Sequence, residues 1–299
     1  MRKNKYTLVI LVAVTIFALP LPAAAKKKLI IYTVNYPLTY FAEQIGGEHV
    51  EVVFPIPADV DPAFWSPSTE QVRQFQKADL ILLNGAGYAK WTRKVSLPML
   101  RMVDTSKSFK NELIHFETNV THSHGPAGDH SHGGTAFTTW LDFSQVAKQA
   151  EAIYKAIARK LPDQNTELSK NYEKLKAGLL ALDRDMNAIG DRIDQKPLLA
   201  SHPIYQYLAR RYKMNIKMMM WEPDQDPGEY EWQNLQQILS EHAARWMIWE
   251  GTPLEGSKQR LKKLGIKSLV FAPCMNRPDK GDFLTVMYDN ITNLSIIHR

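Results

Sequence analysis

A single cysteine, Cys274, stands in the 299 residues, so no disulfide can form within the chain and its stability must come from packing. Catalytic signatures are missing too. There is no G-x-S-x-G elbow, no H-E-x-x-H helix motif and no glycine-rich phosphate cradle. His202 has no sequence-evident nucleophile beside it, and the carboxylates follow no recognisable catalytic spacing, so an enzyme is not expected. Neither sign of charge dominates. The formal net charge of +6 falls to about +3 once Arg2, Lys3 and Lys5 are set aside, too small an excess to imply a nucleic-acid partner. No apolar run after the first residues reaches the roughly 20 needed to span a bilayer.

The N-terminus carries a strong signal. Arg2, Lys3 and Lys5 precede an apolar stretch from Leu8 to about Leu21, broken by Pro20 and Pro22, that ends in Ala23-Ala24-Ala25. This is the pattern of a secretory signal peptide, with cleavage expected after Ala25. No cysteine lies near the cut to take a lipid. The expected product is a soluble periplasmic protein of about 274 residues with no lipid anchor.

Beyond the leader, 26–163 reads as an N-terminal α/β lobe. Strands are expected at Leu29–Val34, Val50–Ile56 and Asp79–Leu83, and helices at Pro37–Ile45 and 68–78, with Ser68 as N-cap. Residues 121–134 lack apolar periodicity and hold His122, His124, His130 and His132 as two H-x-H pairs. A helix follows at 144–160. Leu168, Tyr172, Leu175, Leu179, Leu182, Met186, Ile189 and Ile193 then recur every three or four residues, one apolar stripe on a linking helix within 164–193. That helix is roughly 40 Å long. Residues 194–299 repeat the rhythm as a C-terminal lobe. Its strands are expected at 197–200, 216–221, 246–249 and 268–271, and its helices at 203–212, 231–241, 255–264 and 282–294. The fold class is α/β: two lobes with mostly parallel sheets, joined by one long rigid helix.

The order of certain short segments is similar to that of a known family. These are Tyr36-Pro37-Leu38 with Ile45-Gly46-Gly47, Asp61-Pro62, Ala78-Asp79-Leu80 with Asn84-Gly85-Ala86-Gly87, a His-rich loop, and Trp140-Leu141-Asp142. The long helix, Ser201-His202 and Tyr207-Leu208-Ala209-Arg210-Arg211-Tyr212 complete the series. Over essentially the whole mature chain it resembles the metal-specific solute-binding proteins of bacterial ABC importers, which collect zinc or manganese. The resemblance implies a metal held between two lobes and a permease partner in the inner membrane. It also implies four ligands, of which His202 is kept. The other three positions fall on Ala63, Thr138 and Ala272, none of them a metal ligand of the family's kind.

Candidate metal ligands are therefore His202, His122, His124, His130, His132 and Glu250, with zinc as the expected ion and manganese or copper as alternatives. Glu250 closes a strand in the second lobe; Glu222, Asp224 and Asp226 follow another. His202 with Cys274 and Met275 would form a soft set suited to copper. The flexible His pairs suit zinc, copper or nickel as an accessory site. Trp65, Trp140 and Trp249, with Cys274, are candidate cleft contacts for an organic ligand or metal chelate. The alternatives are thus a divergent relative with a Trp-lined cleft or a ligand-free interaction protein. A monomer is expected.

Overall fold

Short apolar runs with no polar alternation become the strands of two parallel sheets, because helices cover both faces. The computed structural model describes residues 27–115, the backbone of 121–123 and 129–131, and residues 134–297; the expected leader, His124 and His132 lie outside them. In the first lobe β1 (Leu29–Thr33), β2 (Val50–Val53), β3 (Leu80–Leu83) and β4 (Met102–Asp104) take the order β2-β1-β3-β4. β4, too short to show a pattern, was not expected from the sequence. Helix α1 (Tyr36–Gly46) connects β1 to β2. Asn35 caps it by accepting from the Leu38 amide, and Gly47, at φ +52°, ends it. Helix α2 (Thr69–Lys77) starts on a reciprocal capping box between Ser68 and Gln71.

Two short strands, β5 (Thr121–Ser123) and β6 (Asp129–Ser131), pair antiparallel with His122 opposite His130. Helix α3 (Phe143–Lys160) is capped by Asp142, which accepts from the Ser144 and Gln145 amides. The 29-residue helix α4 (Asn165–Ile193) follows, and every residue of its expected apolar stripe is buried. It packs on α1, α3 and the last helix, α8 (Phe283–Leu294), so it is an internal spine and not a projecting coiled-coil arm. Gly190 is required there: a Cβ would stand 2.4 Å from the Tyr212 carbonyl oxygen.

In the second lobe β7 (Leu198–Ala200), β8 (Ile216–Met218), β9 (Trp246–Trp249) and β10 (Lys267–Val270) are ordered β10-β9-β7-β8, again parallel. Helices α5 (Gln206–Arg211), α6 (Glu229–Glu241) and α7 (Glu255–Lys263) connect them. Side chains alternate across a strand. Leu198, Ala200, Ile248 and Leu269 accordingly join the core that continues into the first lobe, while Leu199, Met247 and Trp249 build a smaller core with Trp221 and Trp232.

Hydrogen bonds stitch the seam between the lobes. Trp140 Nε1 donates to the Pro273 carbonyl at 2.7 Å, and Tyr207 Oη to that of Ala136 at 3.0 Å. Asn276 Nδ2 donates to the carbonyls of Pro57 and Val60 at 2.7 and 2.9 Å. The Tyr36 amide meets the Met275 carbonyl at 3.0 Å. A seam held by this many directional contacts favours a preset spacing of the lobes.

Candidate metal centre

Three neighbouring strands of the second sheet bring their carboxyl ends to one place. Adjacent strands lie roughly 4.8 Å apart, so residues just beyond the ends of β9, β7 and β8 stand side by side. Ala200 is in register with Ile248 and with Met218. Two residues on from Ala200 and Ile248 come His202 and Glu250. On the third strand Glu222 comes four residues on from Met218, two more than on its neighbours, and the ladder slips on the way: Met219 donates to the Ala200 carbonyl, but Trp221 donates to that of Ser201. This offset sets Glu222 beside His202.

The result is a cluster in which one ligand atom each from His202, Glu222 and Glu250 lies within 4.8 Å of the other two. His202 Nδ1 is 2.9 Å from Glu222 Oε1 and 3.5 Å from Glu250 Oε1. The imidazole is buried and both carboxylates are largely covered. Among the described residues no other group of His, Cys, Asp and Glu converges in this way.

Electrostatics inside the cluster follow from crowding. Burial pushes the Glu250 carboxyl up to about 7; the His202 charge opposes this, while the Glu222 and Asp61 charges and a hydrogen bond with Glu222 add to it. For His202, burial works against the imidazolium. The Glu222 hydrogen bond and the charges of Glu250, Glu222 and Asp61 outweigh it, and the net shift is upward. Both shifts favour the protonated forms, so a cation entering the cluster competes with protons.

Asp61 faces this cluster from the first lobe, and its charge acts on His202, Glu222 and Glu250. The Ala63 amide fixes its carboxylate, donating to Oδ1 at 2.8 Å. Crowding raises the Asp61 pKa, opposed by that amide bond and by His202, while Glu222 adds to the rise. Asp61 as a residue still meets solvent, which limits the desolvation its carboxyl feels.

Residues 31–296 match the family described as zinc-uptake complex component A, periplasmic (ZnuA). The chain belongs to this family. The zinc-binding lipoprotein AdcA of Streptococcus pneumoniae serotype 4 is 24% identical over 306 residues, covering 98% of this chain and 60% of the relative. The high-affinity zinc uptake system protein ZnuA of Bacillus subtilis is 26% identical over 237 residues, 75% of this chain and 71% of the relative. The chain spans about 60% of the length of the streptococcal relatives it matches. Among solved structures, the metal-dependent lipoprotein YcdH of B. subtilis superposes with a TM-score of 0.76 at 22% identity, over 90% of this chain and 99% of that one. Zn(II)-bound AdcA of S. pneumoniae gives 0.76 at 20% identity, over 91% and 58%. FpvC of Pseudomonas aeruginosa in complex with Mn2+ gives 0.69 at 18%, over 91% and 98%. These structures share the ZnuA-type two-lobed fold.

The three positions onto which the resemblance would put family ligands make other contacts here. The Ala63 amide orients Asp61. Thr138 Oγ1 donates to the Ile204 carbonyl and joins the lobes. Ala272 exchanges two backbone hydrogen bonds with the Asn290 amide group, each 2.8 Å. His202 and Glu250, both expected from the sequence, meet in the cluster. Asp61 was read only as part of a family segment, and its charge on the cluster went unforeseen. Glu222 was noted only as following a strand, since the slip of its ladder is invisible in a periodic pattern.

Other expectations need correction. Cys274 is not in the converging set. It is buried, with φ +57°, and burial together with the Asp282 charge pushes its thiol up to about 12, so it stays protonated and is a poor ligand. The charged neighbours of His202 are Glu222 and Glu250, and Cys274 is not among them. Trp140 and Trp249 are 0% exposed. Trp140 spans the lobe seam beneath Tyr88, and Trp249 packs on Trp221. Trp65 packs edge-on against Trp91 beside Phe75. Trp140 and Trp249 build cores in place of the expected cleft wall, because a flat apolar ring gains most by complete burial, while Trp65 is half-buried. Of the expected accessory site, the backbone register of His122 and His130 is described, while His124 and His132 lie outside the described residues.

Proposed function

We propose that this chain is the periplasmic solute-binding component of an ABC-type zinc uptake system, a carrier with no catalytic role. The convergence of His202, Glu222 and Glu250 carries this reading. In it the three residues hold the ion, and Asp61 supplies a fourth donor from the opposite lobe or orients a water there. One imidazole nitrogen with two or three carboxylate oxygens satisfies the four-coordinate preference of zinc. It is also acceptable to manganese, which favours oxygen donors. The cargo must be released, and a site drawn mostly from one lobe lets go without dismantling the seam.

The remaining parts of the reading concern delivery. The partner is an inner-membrane permease of the ABC class, and the carrier acts as a monomer outside the cytoplasm. His122, His124, His130 and His132 form an accessory site that captures zinc weakly; the opposed register of His122 and His130 supports this. Full burial of Trp140 and Trp249 disfavours the alternative of an organic ligand in an aromatic cleft.

The test uses protein purified without a histidine tag. Metal content by elemental analysis and chelator competition should show one tightly held zinc. His202→Ala and Glu250→Gln should each weaken it by about a hundredfold or more, as loss of a ligand implies. Deleting 122–132 should remove only the weaker sites. Tight binding that survives both ligand substitutions would place the ion elsewhere.

A further inference from the structure

A second cavity lies on the same seam, outside the metal centre. It measures about 320 Å³, and both lobes form it: Ala86 to Lys94 and Gly134 to Thr138 from the first, Pro203, Ile204 and Gln206 from the second. Lys90, Arg93 and Lys94 all line it, and none of the other described residues that line it is acidic. Lys90 and Arg93 stand three residues apart on a 3-10 turn and so share one face, and Lys94 follows directly at its end. Among the described residues no carboxylate pairs with Arg93 or Lys94. The Lys90 ammonium also lies 6.0 Å from the centre of the Phe64 ring.

The backbone keeps the cavity open. Gly85, Ala86 and Gly87 take φ values of +76°, +51° and +74° in succession. Arg93 lies against this turn, its Nη2 3.9 Å from where a Cβ on Gly87 would stand. Opposite the cations, Phe137, Pro203 and Ile204 offer apolar surface. Volume, charge and apolar wall together describe a ligand with a small hydrocarbon body and more than one negative group. Arginine engages carboxylates in a two-pronged fashion, and the two lysines add mobile point charges.

We infer that this cavity is a binding site for a small organic polycarboxylate, separate from the metal centre. None of the metal-centre side chains lines it, although His202 directly precedes Pro203 in the chain. Occupancy therefore does not require a bound ion.

Calorimetry on the full mature chain, freed of metal, tests this with citrate and with inorganic phosphate as probes. Citrate should bind saturably at one site. Replacing the three cations together, Lys90→Gln, Arg93→Gln and Lys94→Gln, should weaken it by about tenfold or more, with thermal unfolding unchanged because all three are exposed. His202→Ala should leave citrate binding intact, which separates this site from the metal reading. No saturable heat up to about 10 mM citrate, or equal binding by the triple variant, would overturn the proposal. Phosphate binding as tightly as citrate would overturn the organic class, since phosphate has nothing to offer Phe137 and Ile204.

Discussion

His202 Nδ1 and Glu222 Oε1 stand 2.9 Å apart at the ends of two neighbouring parallel strands, and Glu250 on a third strand closes the group. Their charges act on one another at close range, and the upward shifts of His202 and Glu250 set protons in competition with a divalent cation.

The pH dependence follows from that competition. Zinc must displace the protons on His202 and Glu250, so its affinity should fall by about tenfold per pH unit for each proton displaced as pH drops below about 7. Chelator competition at pH 6 and pH 8 measures the slope. A flat profile would contradict the assignment of these two residues.

Metal-free protein should show the opposite trend. Both groups have raised pKa values in the folded state, so the stability they contribute is present at acidic pH and lost as pH rises. For Glu250 the loss runs from its ordinary value of 4.5 up to about 7. The gain in melting temperature on adding zinc should therefore be larger at pH 8 than at pH 5.5. Scanning calorimetry of both forms checks the sign.

Restoring an imidazole should strengthen the site. Ala63 neighbours Asp61, whose charge reaches the cluster, and Ala63→His offers a nitrogen donor from the first lobe. Zinc affinity should rise by about tenfold or more. Unchanged affinity would mean that position 63 does not face the ion.

The attachment of the second lobe to the spine helix rests on a buried charge. Arg211 Nε and Tyr212 Oη each donate to Asp183 Oδ1 at 3.0 Å, and Arg211 Nη2 bonds Oδ2. Asp183→Ala leaves these donors without their acceptor and should cost about 2–3 kcal/mol. Urea unfolding measures the loss, while zinc stoichiometry at low denaturant should be unaffected.

The seam itself can be probed at one bond. Trp140→Phe keeps the ring packing against Tyr88 but removes the donor to the Pro273 carbonyl, at a cost of about 1–2 kcal/mol. Amide exchange should quicken in 273–277 and remain unchanged in α2, which is remote from that bond.

Local order was legible along the chain. The apolar stripe from Leu168 to Ile193 requires a long one-faced helix, and that helix is there residue for residue. Ser68 and Asp142 cap helices because their side chains satisfy amide donors within a few residues, an interaction visible in sequence. The run Trp246–Trp249 and its polar stop at Glu250 mark a strand and a member of the converging cluster together. What sequence could not decide is which strand ends meet. Coordination needs atoms within a few ångströms, and that distance depends on strand order and on the slipped ladder beyond Met218 that brings Glu222 beside His202. The same limit explains the tryptophans. An indole beyond a strand end suits a cleft wall or a core equally well, and only packing from distant segments put Trp140 and Trp249 inside. Proton affinities at Glu250 and Cys274 likewise follow from burial, a property of the assembled fold and not of the neighbours in sequence.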